Sequence, residues 1–185
     1  IVPVLIFSFN FMDFSPEIAA HLAIGTSLAT IIPTAISSIR SHHARGAVDW
    51  TLLKSWGPSI AVGVVLGAVL ASIVSGITLQ AIFGTVALLV AFNMAFGKAE
   101  WRLGDALPAE PTRAGLGVVL GGFSSMMGIG GGTLSVPIMT LFNMAIHKAV
   151  GTASAIGLII ALPGAVSFMV TGWGIEGRPD YSIGY

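Results

Sequence analysis

The chain has 185 residues, no cysteine, and 8 Lys+Arg against 8 Asp+Glu, with a mean hydropathy of +0.92. Hydrophobic residues make up 55% and charged residues 9%, against roughly 25% charged in soluble domains; a water-facing globule is excluded and an all-α integral membrane protein is expected. The absence of cysteine excludes disulfides, thiolate metal sites and CxxC chemistry, and zero net charge without a basic stripe excludes nucleic acid as a partner.

The chain opens at Ile1, inside an apolar segment and without Met, which reads as the interior of a longer protein. No cleavable signal peptide is evident. The first marked helix start is Asp13-Phe14-Ser15-Pro16-Glu17. Ser15 suits the N-cap, Pro16 the first turn, and Glu17 the positive end of the helix dipole. That helix is predicted to run to about Ile39 and to end in Arg40-Ser41-His42-His43-Ala44-Arg45, where His42 and His43 read as solvated loop.

Three uncharged runs follow, Ser55–Gly97, Ala114–Ile146 and Ala149–Ile175. Each exceeds the ~20 residues that cross a bilayer as helix. The first is about twice one span, and its polar break at Ser75–Gln80 predicts two helices, 57–76 and 79–97. Residues 98–113 read as a mixed-charge loop, and 147–171 as a further span. The division expected is therefore a first repeat over 1–97, a cytoplasmic loop over 98–113, and a second repeat over 114–185.

Lys and Arg favour cytoplasmic loops. Arg40, Arg45 and Lys54 lie in one loop; Lys98, Arg102 and Arg113 lie in another on the same side, two helices later, and Lys148 joins them if 114–146 enters and leaves on that side. Arg178 alone then lies outside, with Asp13 and Glu17. Trp50, Trp56, Trp101 and Trp173 all fall near span ends, where indoles favour the interface.

Two stretches repeat: His21-Leu-Ala-Ile-Gly-Thr-Ser27 and His147-Lys-Ala-Val-Gly-Thr-Ala153, each after a Val-Pro pair, Val2-Pro3 and Val136-Pro137. With the orientation above, the copies run in opposite directions, the inverted repeat of many secondary transporters.

Between the copies lies Gly128-Ile-Gly-Gly-Gly132, followed by Thr133. Its halves are too short for two crossings, so two half-helices dipping into the membrane are predicted. Irregular backbone at that depth is tolerated where protein buries it or where it lines a wet cavity. A half-helix starting after the glycines would aim free N–H groups into such a cavity and hold an anion through hydrogen bonds and the macrodipole. No Lys or Arg falls in the predicted membrane core, so hydroxyls complete the candidate site. Ser124, Ser125, Thr133 and Ser135 flank the glycines; Gly25-Thr26-Ser27 and Gly151-Thr152-Ala153-Ser154 belong to the repeats.

Plainer readings compete. Glycine in membrane helices often serves close packing, the reading taken for Gly63/Gly67 and Gly117/Gly121. Ser and Thr often bond to their own helix. Met126 and Met127 suit packing or lipid contact. His21 and His147 can carry protons near neutral pH or simply cap at the interface. Neither a dinucleotide fingerprint nor a P-loop fits, because the first lacks its strand and acidic residue and the second its Gly-Lys-Ser/Thr. No metal ligand set and no cofactor is expected. An intramembrane enzyme would need an acid–base or metal constellation in the spans, where no Asp, Glu or Cys occurs.

Gly128-Ile-Gly-Gly-Gly-Thr-Leu-Ser-Val-Pro-Ile-Met139, followed by His147-Lys-Ala-Val-Gly-Thr-Ala-Ser-Ala155, resembles the second-half signature of the sulfite exporter TauE/SafE family. Val2-Pro-Val-Leu5, and His21 through the basic loop closing in Gly46-Ala-Val-Asp-Trp50, resemble its first half. The resemblance implies a helical bundle with inverted repeats in a multi-pass inner-membrane permease that exports sulfite or organosulfonates. It also implies a glycine-rich element before Val2-Pro3 and closing helices after Tyr185, so an incomplete chain is expected. The second copy reads Gly-Thr-Ala against Gly-Thr-Ser, and Ser154 is not in register with Ser27. The substrate site expected is Gly128, Gly130, Gly131, Gly132 and Thr133, faced by Gly25, Thr26, Ser27, Gly151 and Thr152, with His21 and His147 as proton carriers. A bulky residue at Gly131 is expected to abolish transport without disturbing the fold. A passive channel and a non-catalytic structural subunit stand as alternatives; partners expected are a small anion and the lipid bilayer.

Overall fold

The computed structural model describes residues 1–96, 103–175 and 182. Lys98, Trp101, Arg102, Glu176, Arg178 and the end at Tyr185 lie outside the described residues. Among the described residues seven helices follow in order: α1 Val2–Phe11, α2 Pro16–Ala44, α3 Trp50–Ile73, α4 Gly76–Phe96, α5 Thr112–Met127, α6 Gly132–Leu141 and α7 Ile146–Thr171. The fold is an all-helical membrane bundle, and α2, α3 and α7 each contain a stretch long and apolar enough to cross a bilayer.

Helix α2 begins where the sequence marks it. The Ser15 hydroxyl accepts from the Ile18 N–H at 3.4 Å, and Pro16 follows. It continues past Ile39 to Ala44, its 29 residues carrying Arg40, His42 and His43 on the last turns. At 1.5 Å per residue that is about 43 Å, longer than the ~30 Å hydrocarbon layer, so the added polar turns extend beyond the apolar depth. Helix α3 starts at Trp50, earlier than the residue 57 expected, because the Asp49 carboxylate accepts from the Leu52 N–H at 2.9 Å. Trp50 and Lys54 are therefore helical. The hairpin break falls at Val74–Ser75, with the Ser75 hydroxyl accepting from the Thr78 N–H at 3.3 Å.

Glycine dictates the closest packing. A Cβ on Gly63 would run into the Val118 carbonyl, and one on Gly121 into the Ile60 carbonyl. Helices α3 and α5 thus meet backbone to backbone, as the small-residue reading of these glycines anticipated. Trp56, 1% exposed, seals the end of this contact, its Nε1 donating to the Arg113 carbonyl at 2.9 Å.

Helices α2 and α7 pack together; α7 also packs against α3, and α2 against α1 and α4. The Thr152 hydroxyl on α7 accepts from the Asp49 N–H at 3.0 Å, and Gly151 packs on Ala47. These contacts gather Arg40, Arg45, Lys54, Arg113 and Lys148 at one end of the bundle. The other end holds Asp13 and the turn between α3 and α4, where His21 Nε2 meets the Ala71 carbonyl at 2.8 Å.

Candidate functional site

Helix α5 stops at Met127 because Gly128 adopts a left-handed conformation, φ 61 and ψ 30. The Gly128 N–H donates to the Ser125 carbonyl at 3.3 Å and the Ile129 N–H to the Ser124 carbonyl at 3.1 Å, closing the turn. Helix α6 begins after Gly131, which has no side chain to cap it. Its opening backbone bond runs from the Ser135 N–H to the Gly131 carbonyl at 2.9 Å. The N–H groups of Gly132, Thr133 and Leu134 precede any helical acceptor. The outer end of α5 is tied to Trp56 on α3, and the Leu141 carbonyl at the outer end of α6 accepts from Leu103 at 2.8 Å.

The break forms the floor of a cleft of about 420 Å³. Gly130, Gly131, Gly132, Thr133 and Val136 come from the break and α6. Helix α2 supplies Ile31, Thr34, Ala35 and Ser38; helix α7 supplies Val150, Ala153, Ser154 and Gly157. Both walls follow the i, i+3, i+4, i+7 spacing of a single helix face. The α2 wall ends just before Arg40 and the α7 wall starts just after Lys148, so the cleft faces the basic end. Among the described residues, none that lines it is charged.

Towards the opposite end the bundle is packed. A Cβ on Gly128 would lie 3.0 Å from Ile24 Cα and from Val2 Cγ2. Leu28 Cδ1 would lie 3.0 Å from a Cβ on Gly164. The Ser27 hydroxyl donates to the Gly128 carbonyl at 2.7 Å, tying α2 to the end of α5.

The candidate residues divide. Gly130, Gly131, Gly132 and Thr133 come together in the cleft. Gly128 lies behind it, as the turn and as the acceptor for Ser27. Gly25, Thr26, Ser27, Gly151 and Thr152 do not line it. Gly25 is buried and Thr26 half-buried in α2; Gly151 and Thr152 hold α7 to the 47–49 segment. His21 is 5% exposed on the Ala71 carbonyl, whereas His147 is exposed at the start of α7. Neither lines the cleft. The Ser125 hydroxyl donates to Gly122 at 2.9 Å and Ser135 to the Gly131 carbonyl, the own-helix bonding weighed above. Ser124 is fully buried, its hydroxyl without a hydrogen-bond partner among the described residues.

One expectation is corrected. A Cβ on Gly131 would sit 2.7 Å from Ile156 Cγ2 and 2.8 Å from the Gly157 nitrogen. A bulky residue there would force α6 off α7, so the fold would not stay undisturbed. On Gly132 a Cβ would meet nothing within 4 Å. Sequence reasoning missed the α2 wall, where Thr34 and Ser38, one turn apart on an uncharged face, were the available signal.

The family model described as "Sulfite exporter TauE/SafE" matches residues 1–184. A "Probable membrane transporter protein" of Haemophilus influenzae is 31% identical over 186 residues, covering 100% of this chain and 70% of its own length. One of Bacillus subtilis is 27% identical over 173 residues, covering 90% of this chain and 69% of its own. One of Methanocaldococcus jannaschii is 24% identical over 192 residues, covering 100% and 68%. No solved structure matches the chain. The chain is a multi-pass membrane protein and belongs to the sulfite exporter TauE/SafE family of membrane transporters.

Proposed function

We propose that the chain is a secondary transporter that exports a small anion, sulfite or an organosulfonate, across the cytoplasmic membrane. The observation that carries this reading is the opening turn of α6, with uncapped N–H groups at Gly132 and Thr133 on the floor of an uncharged cleft. Those donors and the positive end of the helix dipole suit an anion. The placement needs no fixed cation at membrane depth, so cargo can be released as well as bound.

In this reading α5 and α6 form a re-entrant pair that enters and leaves on the basic side. The ties of their outer ends to Trp56 and Leu103 support it. The basic end is cytoplasmic by the charge rule, and its cations draw anions to the mouth. The cleft is then open inward, while the packing around Gly128, Ile24 and Leu28 closes the outward path, which favours a carrier over a passive channel. Alternating access would rock the two inverted halves about the α2–α7 contact.

The test is thermal stabilisation of the purified protein in detergent by sulfite, sulfoacetate, taurine, sulfate, phosphate and chloride at matched ionic strength, since bound ligand raises stability by mass action. A selective rise with sulfite or a sulfonate, absent in Gly132→Val, is the expected outcome. A response to none of these anions would return the glycines to a packing role.

A further inference from the structure

We infer that the cleft takes an organic anion with one charge and an apolar body, in preference to a bare inorganic oxyanion or a dianion. This inference rests on the anion reading above and narrows it to a cargo class. Size is the starting point. The cleft, about 420 Å³ and open towards the basic end, offers more room than an isolated sulfur oxyanion fills.

The lining is also divided. Donors are concentrated at the start of α6, whereas Ile31 and Ala35 on one wall and Val150 and Ala153 on the other are apolar. Two of the three hydroxyls on those walls add little for a headgroup. Thr34 Oγ1 donates to the Ile31 carbonyl at 2.9 Å and Ser154 Oγ to the Gly151 carbonyl at 2.6 Å. Both protons are already committed to their own helices, so recognition of charge falls to the α6 backbone and Thr133, with Ser38 nearer the mouth as the remaining wall hydroxyl. A short alkyl body bound there would lie along the apolar walls and displace water from them, which is favourable.

Charge limits the headgroup. Among the described residues none that lines the cleft is cationic, and the desolvation cost of an ion rises with the square of its charge. One helix terminus supplies the equivalent of about half a unit of positive charge. That can balance much of a monoanion and little of a dianion.

The test is isothermal titration of the purified protein with methane-, propane- and pentanesulfonate, with sulfite, with propylphosphonate at a pH where it carries two charges, and with 1-pentanol as a neutral control for detergent partition. Affinity should rise about fourfold per methylene along the sulfonates, propylphosphonate should bind more weakly than propanesulfonate, and pentanol should not bind. In Val150→Ser, on the apolar wall, the gain per methylene should shrink. Equal affinities along the series, or a dianion or sulfite bound as tightly as propanesulfonate, would overturn the inference while leaving an anion site standing. Binding of pentanol as tight as pentanesulfonate would overturn it as well. Binding of no anion would overturn the underlying reading and this one together.

Discussion

Gly131 and Gly132 are neighbours in the cleft floor, yet a methyl group added to each meets different surroundings. At Gly131 it would sit 2.7 Å from Ile156 Cγ2 and 2.8 Å from the Gly157 nitrogen. Carbon atoms prefer about 3.5–4.0 Å, so α6 and α7 must separate by close to an ångström. Overpacking of this kind costs about 1–3 kcal/mol. At Gly132 the methyl meets nothing within 4 Å, and Gly→Ala in a compatible conformation stabilises by about 0.4–1 kcal/mol through the unfolded chain. The two alanine variants should therefore differ by about 1.5–4 kcal/mol. At this chain length 1 kcal/mol moves the midpoint by about 2–4 °C, so thermal unfolding in one detergent should separate them by about 3–16 °C, with Gly132→Ala the higher. A Gly131→Ala midpoint equal to or above that of Gly132→Ala would refute the assignment of Gly131 to α6–α7 packing.

Gly63→Leu should prevent a stable bundle, because the side chain would enter the Val118 backbone, whereas Gly84→Ala, in open space, should express as wild type; size-exclusion profiles in detergent compare them. Ser27→Ala removes the 2.7 Å bond to the buried Gly128 carbonyl and should cost about 1–3 kcal/mol in denaturant unfolding; an unchanged midpoint would show that the bond does not hold α2 to the break. The chain has no cysteine, so Ser154→Cys gives a single thiol in the cleft. A membrane-impermeant maleimide should label it from the side that bears Arg40 and Lys148. Labelling solely from the opposite side would contradict the direction in which the cleft opens.

Much of this was legible because the membrane restricts the options. Charge-free runs marked helices, and the Gly128–Gly132 stretch marked a broken one, since no interior helix position favours four glycines in five. The ends of α2 and α3 were harder. Asp49 caps α3 from within a segment whose Arg45 and Lys54 read as loop, and the Arg40–Ala44 turns continue a helix that needs no apolar residues beyond the bilayer. The cleft walls were least legible. Lipid is as apolar as the bundle interior, so hydropathy does not reveal which face of α2 carries Ile31, Thr34, Ala35 and Ser38 inward. Composition was equally silent on which hydroxyls are already engaged. Ser27 and Thr152 looked like ligands beside the repeat glycines, and both hold neighbouring backbone instead. Gly131 and Gly132 are alike in sequence and are told apart only by the position of α7.

The most direct test of an anion carrier built on this cleft is flux through purified protein in liposomes loaded with labelled sulfite or propanesulfonate. Saturable efflux, absent in protein-free vesicles and lost in Gly132→Val although that variant remains folded in the membrane, is the expected result. Efflux from wild-type vesicles no faster than from protein-free ones, or undiminished flux through Gly132→Val, would contradict it.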